Sequence, residues 1–190
     1  MCAQLYAGKP AIQQSAVVRS DGRVASVFVK LEGSFPRTPV PSEPVTIAQR
    51  GCMYSPRVMG ARVGQVLQIR NDDAMLHNVH SVSAEGNDFN VGQPGTGSVY
   101  RFTLKKEELM LRLACDVHRW MTAYVGVVSH PYFAVSGPDG SFEIAGVPPG
   151  TYVIRAWHEQ FGTLTQKVHV DPAAAASVEF TYATATTPKR

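Results

Sequence analysis

Apolar and polar residues alternate with a period of two along several short segments, the longest being Val24-Ala25-Ser26-Val27-Phe28-Val29-Lys30-Leu31. That period places successive side chains on opposite faces of a strand. Comparable segments recur at 63–70, 79–82, 99–104, 110–114, 124–128, 152–157 and 168–170. Turn residues separate them, at Ser20-Asp21-Gly22, Glu85-Gly86-Asn87, Gly92 to Gly97, Gly137-Pro138-Asp139-Gly140 and Pro148-Pro149-Gly150. Short strands under such punctuation predict an all-β chain built as sandwiches or barrels. Helical character is confined to 104–111, where Lys105, Lys106, Glu107 and Glu108 predict at most a turn or two. Pro36, Pro39, Pro41 and Pro44 mark 34–44 as an extended linker, and the chain from Thr181 onward reads as a fraying tail, assigned to 183–190.

Composition narrows the possibilities. The chain has 190 residues, 44% of them hydrophobic and 17% charged, enough for one large or two small domains with cores. A net charge of +3 spread along the chain disfavours binding driven by nucleic-acid phosphates. No apolar run reaches the roughly 18 to 20 residues of a membrane-spanning helix. Three cysteines exclude a multi-bridge framework, and an odd number leaves at least one thiol free, metal-bound or modified. Met1-Cys2-Ala3-Gln4 lacks the basic and apolar regions of a signal peptide, so the chain is either cytosolic or trimmed.

The densest chemistry lies in Cys115-Asp116-Val117-His118-Arg119-Trp120-Met121, where a thiolate, an imidazole and a thioether fall within seven residues. Soft sulfur beside imidazole selects copper over magnesium or calcium, and three ligands with one weak sulfur describe most of a mononuclear blue-copper site. His77-Asn78-Val79-His80, well before the cysteine, supplies the remaining imidazole. Each half alone has plainer readings. Cys115 is a small core residue on one of them and a nucleophile with His118 as its base on another, although no third orienting group or oxyanion loop is identifiable. Structural zinc prefers paired cysteines and rarely uses Met. Cys52 reads as a buried thiol, and its pairing with Cys115 would destroy the site.

The two segments together resemble the cupredoxins, the amicyanins in particular, whose HisAsnValHis segment and Cys-Thr-Pro-His-Pro-Phe-Met loop have the same two-residue gaps. The approach through Tyr54-Ser55-Pro56 and Gly64-Gln65 is similar to plastocyanin-like domains. The resemblance spans Val45 to Val128 and implies a Greek-key sandwich over 45–129. It implies one type 1 copper held by His77, Cys115 and His118, with Met121 as weak axial ligand and the Asn78 backbone donating to the cysteine sulfur. Val117 and Arg119 stand where the family has prolines, adding backbone donors and a positive charge. A carboxylate axial ligand remains an alternative to Met121, whereas a binuclear centre needs two cysteines in this loop. His80 falls on the opposite face of its strand from His77 and reads as a hydrogen-bonded histidine outside the metal set.

A second pattern, Asp139-Gly140-Ser141-Phe142 followed by Pro148-Pro149-Gly150-Thr151-Tyr152, resembles carboxypeptidase regulatory-like, transthyretin-like sandwiches, which carry no catalytic group. The opening pair around Asp21-Gly22 resembles the start of such a module. Segments 12–33 and 132–182 would then complete one sandwich with the copper domain inserted between them. His158, beside Trp157 and Glu159, reads as an edge-of-sheet cluster more readily than as a second site, and His130 and His169 carry still less.

The family resemblance implies a non-enzymatic electron carrier that shuttles between Cu(I) and Cu(II), with His118 as electron port inside an apolar rim of Trp120, Met53 or Met75. Its partner would be a redox protein such as a cytochrome c or a dehydrogenase. Copper storage, delivery or sensing is the alternative, and a structural sandwich without redox role a further one. The location implied is periplasmic or extracytoplasmic, with Cys2 as the lipid-bearing start of a processed lipoprotein attached to a membrane.

Overall fold

A computed structural model describes residues 2, 6–7 and 14–183. The tail assigned to 183–190 falls outside it from 184 onward, as do Met1, Ala3 and Gln4. The strands in chain order are β1 Phe28–Glu32, β2 Val45–Arg50, β3 Met53–Ser55, β4 Val58–Arg62, β5 Val66–Asn71, β6 His77–Val82, β7 Phe89–Gln93, β8 Val99–Thr103, β9 Glu108–Ala114, β10 Thr122–Val128, β11 Phe133–Val135, β12 Gly150–His158 and β13 Gly162–Val170. The architecture is all-β, with three sheets. Among the described residues no helix is long and apolar enough to cross a membrane.

The chain divides into two units. The first comprises 37–131 with the described residues of 1–14. It contains a five-stranded sheet ordered β4-β10-β9-β6-β7 and a four-stranded sheet ordered β3-β2-β5-β8. Pairing is antiparallel except for β4 with β10 and β2 with β5, so each sheet is mixed. Leu67 and Ile69 on β5, Leu111 and Leu113 on β9, and Val125 and Val127 on β10 point into one shared core, as alternation along strands requires. That core carries the metal-ligand candidates at its edge.

The second unit comprises 15–36 with the described residues from 132 onward and forms one four-stranded sheet ordered β11-β1-β12-β13. Its central strand β1 pairs on one side with β11 and on the other with β12, in the register Phe28 opposite Val135 and Trp157. Val27, Val29, Leu31, Ile154 and Ala156 form the buried face, against which Phe142, Ile144, Val147, Val178 and Phe180 pack. The Asp-Gly turn forms, with Gly140 N–H donating to Gly137 O (2.9 Å), but 141–149 adopt no strand. Gly146, at φ 67°, and the paired Pro148 and Pro149, which have no N–H to donate, account for the lack of a ladder over 146–149.

The helical turn expected at 104–111 is absent. Leu104 is buried, and β9 begins at Glu108 with Leu111 and Leu113 inward at a strand period. Met110 and Leu111 are both buried because the register against β10 shifts between Val125 and Val127, with Met110 at φ 62°. Such an irregularity breaks strict alternation.

Candidate metal centre

His77 opens β6 and Cys115 follows the last residue of β9, and the antiparallel pairing of these strands (His80 opposite Ala114) brings the two ends together. The loop from Cys115 to β10 is closed by two backbone bonds, Met121 N–H to His118 O (2.8 Å) and Cys115 N–H to Met121 O (3.2 Å). This tight loop turns His118 back over Cys115. The His77 and His118 Nδ1 atoms lie 3.0 Å apart, and Cys115 Sγ is 3.7 Å from His118 Nδ1. One ligand atom from each of the three residues falls within 4.8 Å of the others. His77 and Cys115 are buried and His118 is half-buried. Met121 is fully buried in the same core as Cys115.

Two imidazole nitrogens and a thiol converging at a largely buried point form a donor set that suits a soft or borderline transition metal. The donors fit copper. Burial pushes the Cys115 thiol up, but hydrogen bonding with His77 and from the backbone of Asn78, His118 and Val117 outweighs it and holds the thiol below its ordinary value. The thiolate, the ligating form, is thereby favoured. Burial and the neighbouring His77 charge push His118 down, toward the neutral imidazole that binds metals.

The surroundings pin the strands that carry the candidate ligands. Asn78 exchanges hydrogen bonds with Asp116 across the two segments. The buried Tyr54 hydroxyl lies 2.7 Å from Asn78 O and 3.1 Å from Ala114 O, bridging β6 and β9. Burial, followed by the charges of Cys115 and Asp116, raises the Tyr54 pKa, so this donor stays protonated. His80 sits on the other face, 3.2 Å from Asp116 Oδ1. His158 is buried in the second unit, stacked 4.5 Å from Phe161, and its Nδ1 accepts from the Gln160 backbone N–H (3.2 Å).

The sequence reading missed two features. Asp73 Oδ2 lies 2.9 Å from His77 Nε2, a contact that neighbouring Asp72 does not share. Cys52, read as a free thiol, is joined to Cys2 in a disulfide, leaving Cys115 as the free cysteine. The correction has a simple origin: three cysteines allow three pairings, and spacing does not choose among them. A Cys2 sulfur bonded to Cys52 has no valence for a lipid thioether, so this bond and the lipid attachment expected at Cys2 exclude one another. Cys2 Sγ also lies 3.2 Å from His118 Nε2, covering the edge of the imidazole expected to face solvent.

No protein-family model matches the chain, and no curated protein matches it. Among solved structures it is similar to the copper-containing nitrite reductase from Thermus scotoductus SA-01, with 22% identity and a TM-score of 0.40 over 50% of this chain. The match spans only 24% of that protein's length. A purple cupredoxin from Nitrosopumilus maritimus matches at 25% identity and TM-score 0.38, over 43% of this chain and 97% of that one. A variant of amicyanin in its Cu(I) form matches at 19% identity and TM-score 0.40, over 52% of this chain and 97% of its own. These structural neighbours are cupredoxins, and the likeness extends over about half of the chain.

Proposed function

We propose that the protein binds one type 1 copper through His77, Cys115 and His118, with Met121 as the weak axial ligand, and carries single electrons between redox proteins. The observation that carries this reading is the convergence of the His77, Cys115 and His118 donor atoms within 4.8 Å at the end of a two-sheet unit. Bound there, copper would supply a one-electron couple. The chain's own contribution is to keep the donors in place: Tyr54 and the Asn78 and Asp116 pair tie the two ligand strands, and the short loop leaves His118 little freedom. A fixed donor set lowers the rearrangement that electron transfer would otherwise require.

The residues around the loop favour transient docking. Leu76, Val117 and Trp120 are exposed apolar side chains next to ligands in the chain, with the Trp120 ring 5.2 Å from that of His118. A small apolar surface edged by Arg119 and Asp116 suits a redox protein such as a cytochrome c or a dehydrogenase, bound weakly enough to leave. The Cys2 and Cys52 disulfide favours an extracytoplasmic location. The second unit is read as an accessory regulatory-like module, and the whole as a carrier rather than an enzyme.

Optical and electron paramagnetic resonance spectra of the copper-loaded protein test the reading. The expected result is an intense thiolate-to-copper band with reversible one-electron reduction, and its loss together with bound copper in Cys115→Ser. Colourless, weakly retained copper would overturn the carrier reading in favour of delivery.

A further inference from the structure

His77 makes a contact through the ring nitrogen that faces away from the other donors. Its Nε2 lies 2.9 Å from Asp73 Oδ2, and both side chains are buried, His77 at 0% and Asp73 at 10% exposure. The carboxylate is itself held from the other side. Gly51 N–H donates to Asp73 Oδ1 (2.7 Å) and Cys52 N–H to Asp73 Oδ2 (2.8 Å). Asp73 N–H donates to Asn71 Oδ1 (2.9 Å), and Asn71 is anchored by its Nδ2 to Met75 O and Gln93 O.

The turn that presents those two N–H groups is built for the purpose. Gly51 and Cys52 both have positive φ, 60° and 57°. Glycine adopts this region freely, but for Cys52 it costs on the order of 1 kcal/mol and persists only where the surroundings impose it. Here they do: the Cys52 sulfur is bonded to Cys2, and its carbonyl accepts from Trp120 Nε1 (3.0 Å). Two consecutive backbone donors thus converge on one carboxylate, which passes its orientation to a single imidazole. At His118 the Nε2 atom lies 3.2 Å from the Cys2 sulfur, with no carboxylate against it among the described residues.

We propose that Asp73 is a positioning residue that fixes His77 with its proton on Nε2, leaves Nδ1 free to ligate, and makes this imidazole the more electron-donating of the pair. The inference deepens the copper reading and rests on it for its electronic part. A carboxylate acceptor polarises the Nε2–H bond toward imidazolate, and the added donor strength favours the more highly charged metal state. Asp73 therefore biases the site toward Cu(II) and lowers its reduction potential relative to a neutral acceptor.

Two measurements test this, and they fail separately. The first needs no metal: nitrogen NMR of the histidine rings in the metal-free wild-type protein, at alkaline pH where the imidazole is neutral. A single Nε2–H tautomer for His77 with a strongly deshielded, exchange-protected proton is expected. A tautomer mixture or an Nδ1–H ring overturns the positioning role, whether or not the protein binds copper. The second compares copper-loaded wild type with Asp73→Asn, which keeps the size and one acceptor oxygen. The expected result is a retained thiolate-to-copper band, a higher reduction potential and a loss of Cu(II) affinity of about 10- to 100-fold. An unchanged potential with only a lower unfolding midpoint would reduce Asp73 to a structural role and overturn the electronic part. Should Asp73→Asn not fold, the wild-type NMR experiment still decides the tautomer.

Discussion

Asn78 and Asp116 are paired in both directions: Asn78 Nδ2 donates to Asp116 Oδ2 (2.8 Å), and the Asp116 backbone N–H donates to Asn78 Oδ1 (2.6 Å). The first residue follows the candidate ligand His77 and the second follows the candidate ligand Cys115, so this pair ties together the two strands that carry them. Asn78→Ala is expected to lower the stability of the metal-free protein by about 1–3 kcal/mol, because a backbone donor at the loop entrance loses its partner. Asn78→Asp should do no better, since the end that donated to Asp116 becomes a second carboxylate facing it. Urea unfolding of the three proteins checks both. Recovery of wild-type stability by Asn78→Asp would show that the Asn78 donor is dispensable.

The disulfide closes a loop of sequence separation 50. On the chain-entropy account, a loop of that size stabilises the folded state by about 4 kcal/mol. Cys2→Ser should therefore lower the denaturant midpoint of the metal-free protein markedly, and reduction with a dithiol should do the same to the wild type. A midpoint that does not move under either treatment would show that the bond adds nothing to stability.

Tyr182 gives the second unit an alkaline limit. Burial pushes its hydroxyl up to about 12 from an ordinary 10.0, and its oxygen is buried with no hydrogen-bond partner among the described residues. It packs 5.6 Å from the Phe161 ring and 6.2 Å from that of His158. The unfolded chain releases this proton near pH 10, whereas the folded chain holds it to about pH 12. Between those values the unfolded state binds fewer protons, so stability falls as pH rises. Tyr182→Phe should flatten that decline while leaving stability at neutral pH equal or higher. Thermal unfolding measured from pH 8 to 12 checks it, and an unchanged slope would refute it.

Ser136 joins two distant parts of the chain. Its hydroxyl lies 2.9 Å from Val24 O and 3.0 Å from Val27 N, while its backbone N–H donates to Val27 O (2.9 Å) and its carbonyl accepts from Ser26 N–H (3.1 Å). The side chain is buried. Ser136→Ala leaves the Val27 N–H without a partner, and a loss of about 1–3 kcal/mol is expected. Hydrogen exchange should show faster exchange at the Val27 amide, and protection equal to wild type there would count against the assignment.

How much of this was readable beforehand varies by residue. Strands in which burial alternates, such as β5 and β12, were legible because Leu67 and Ile69 on one and Ile154 and Ala156 on the other are apolar and inward, although each strand ends on a buried polar residue, Asn71 and His158. Strand β7, Phe-Asn-Val-Gly-Gln, was not, since glycine and amides hide its period, and β4 carries Gly60 at its centre. The four expected ligands were legible as residue types at fixed spacing, and the structure brings His77, Cys115 and His118 together. Asp73 was not singled out in sequence because little sets it apart from Asp72, which turns outward to Arg70 and Arg50. Its role depends on a turn twenty residues earlier presenting two N–H groups to it. A carboxylate four positions before a candidate ligand histidine, in a loop, was the signal available.

The placement of β1 between β11 and β12 sets an order of events during synthesis. A ribosome releases β1 early, yet its sheet neighbours leave the exit tunnel only after every strand of the other unit has emerged. The inner unit can therefore assemble while β1 waits unpaired, a flat apolar segment with two open edges. For that interval Val27, Val29 and Leu31 lack the cover they have in the finished sheet, and a chaperone that shields residues 27–31 would lose its hold once β11 and β12 pair with β1.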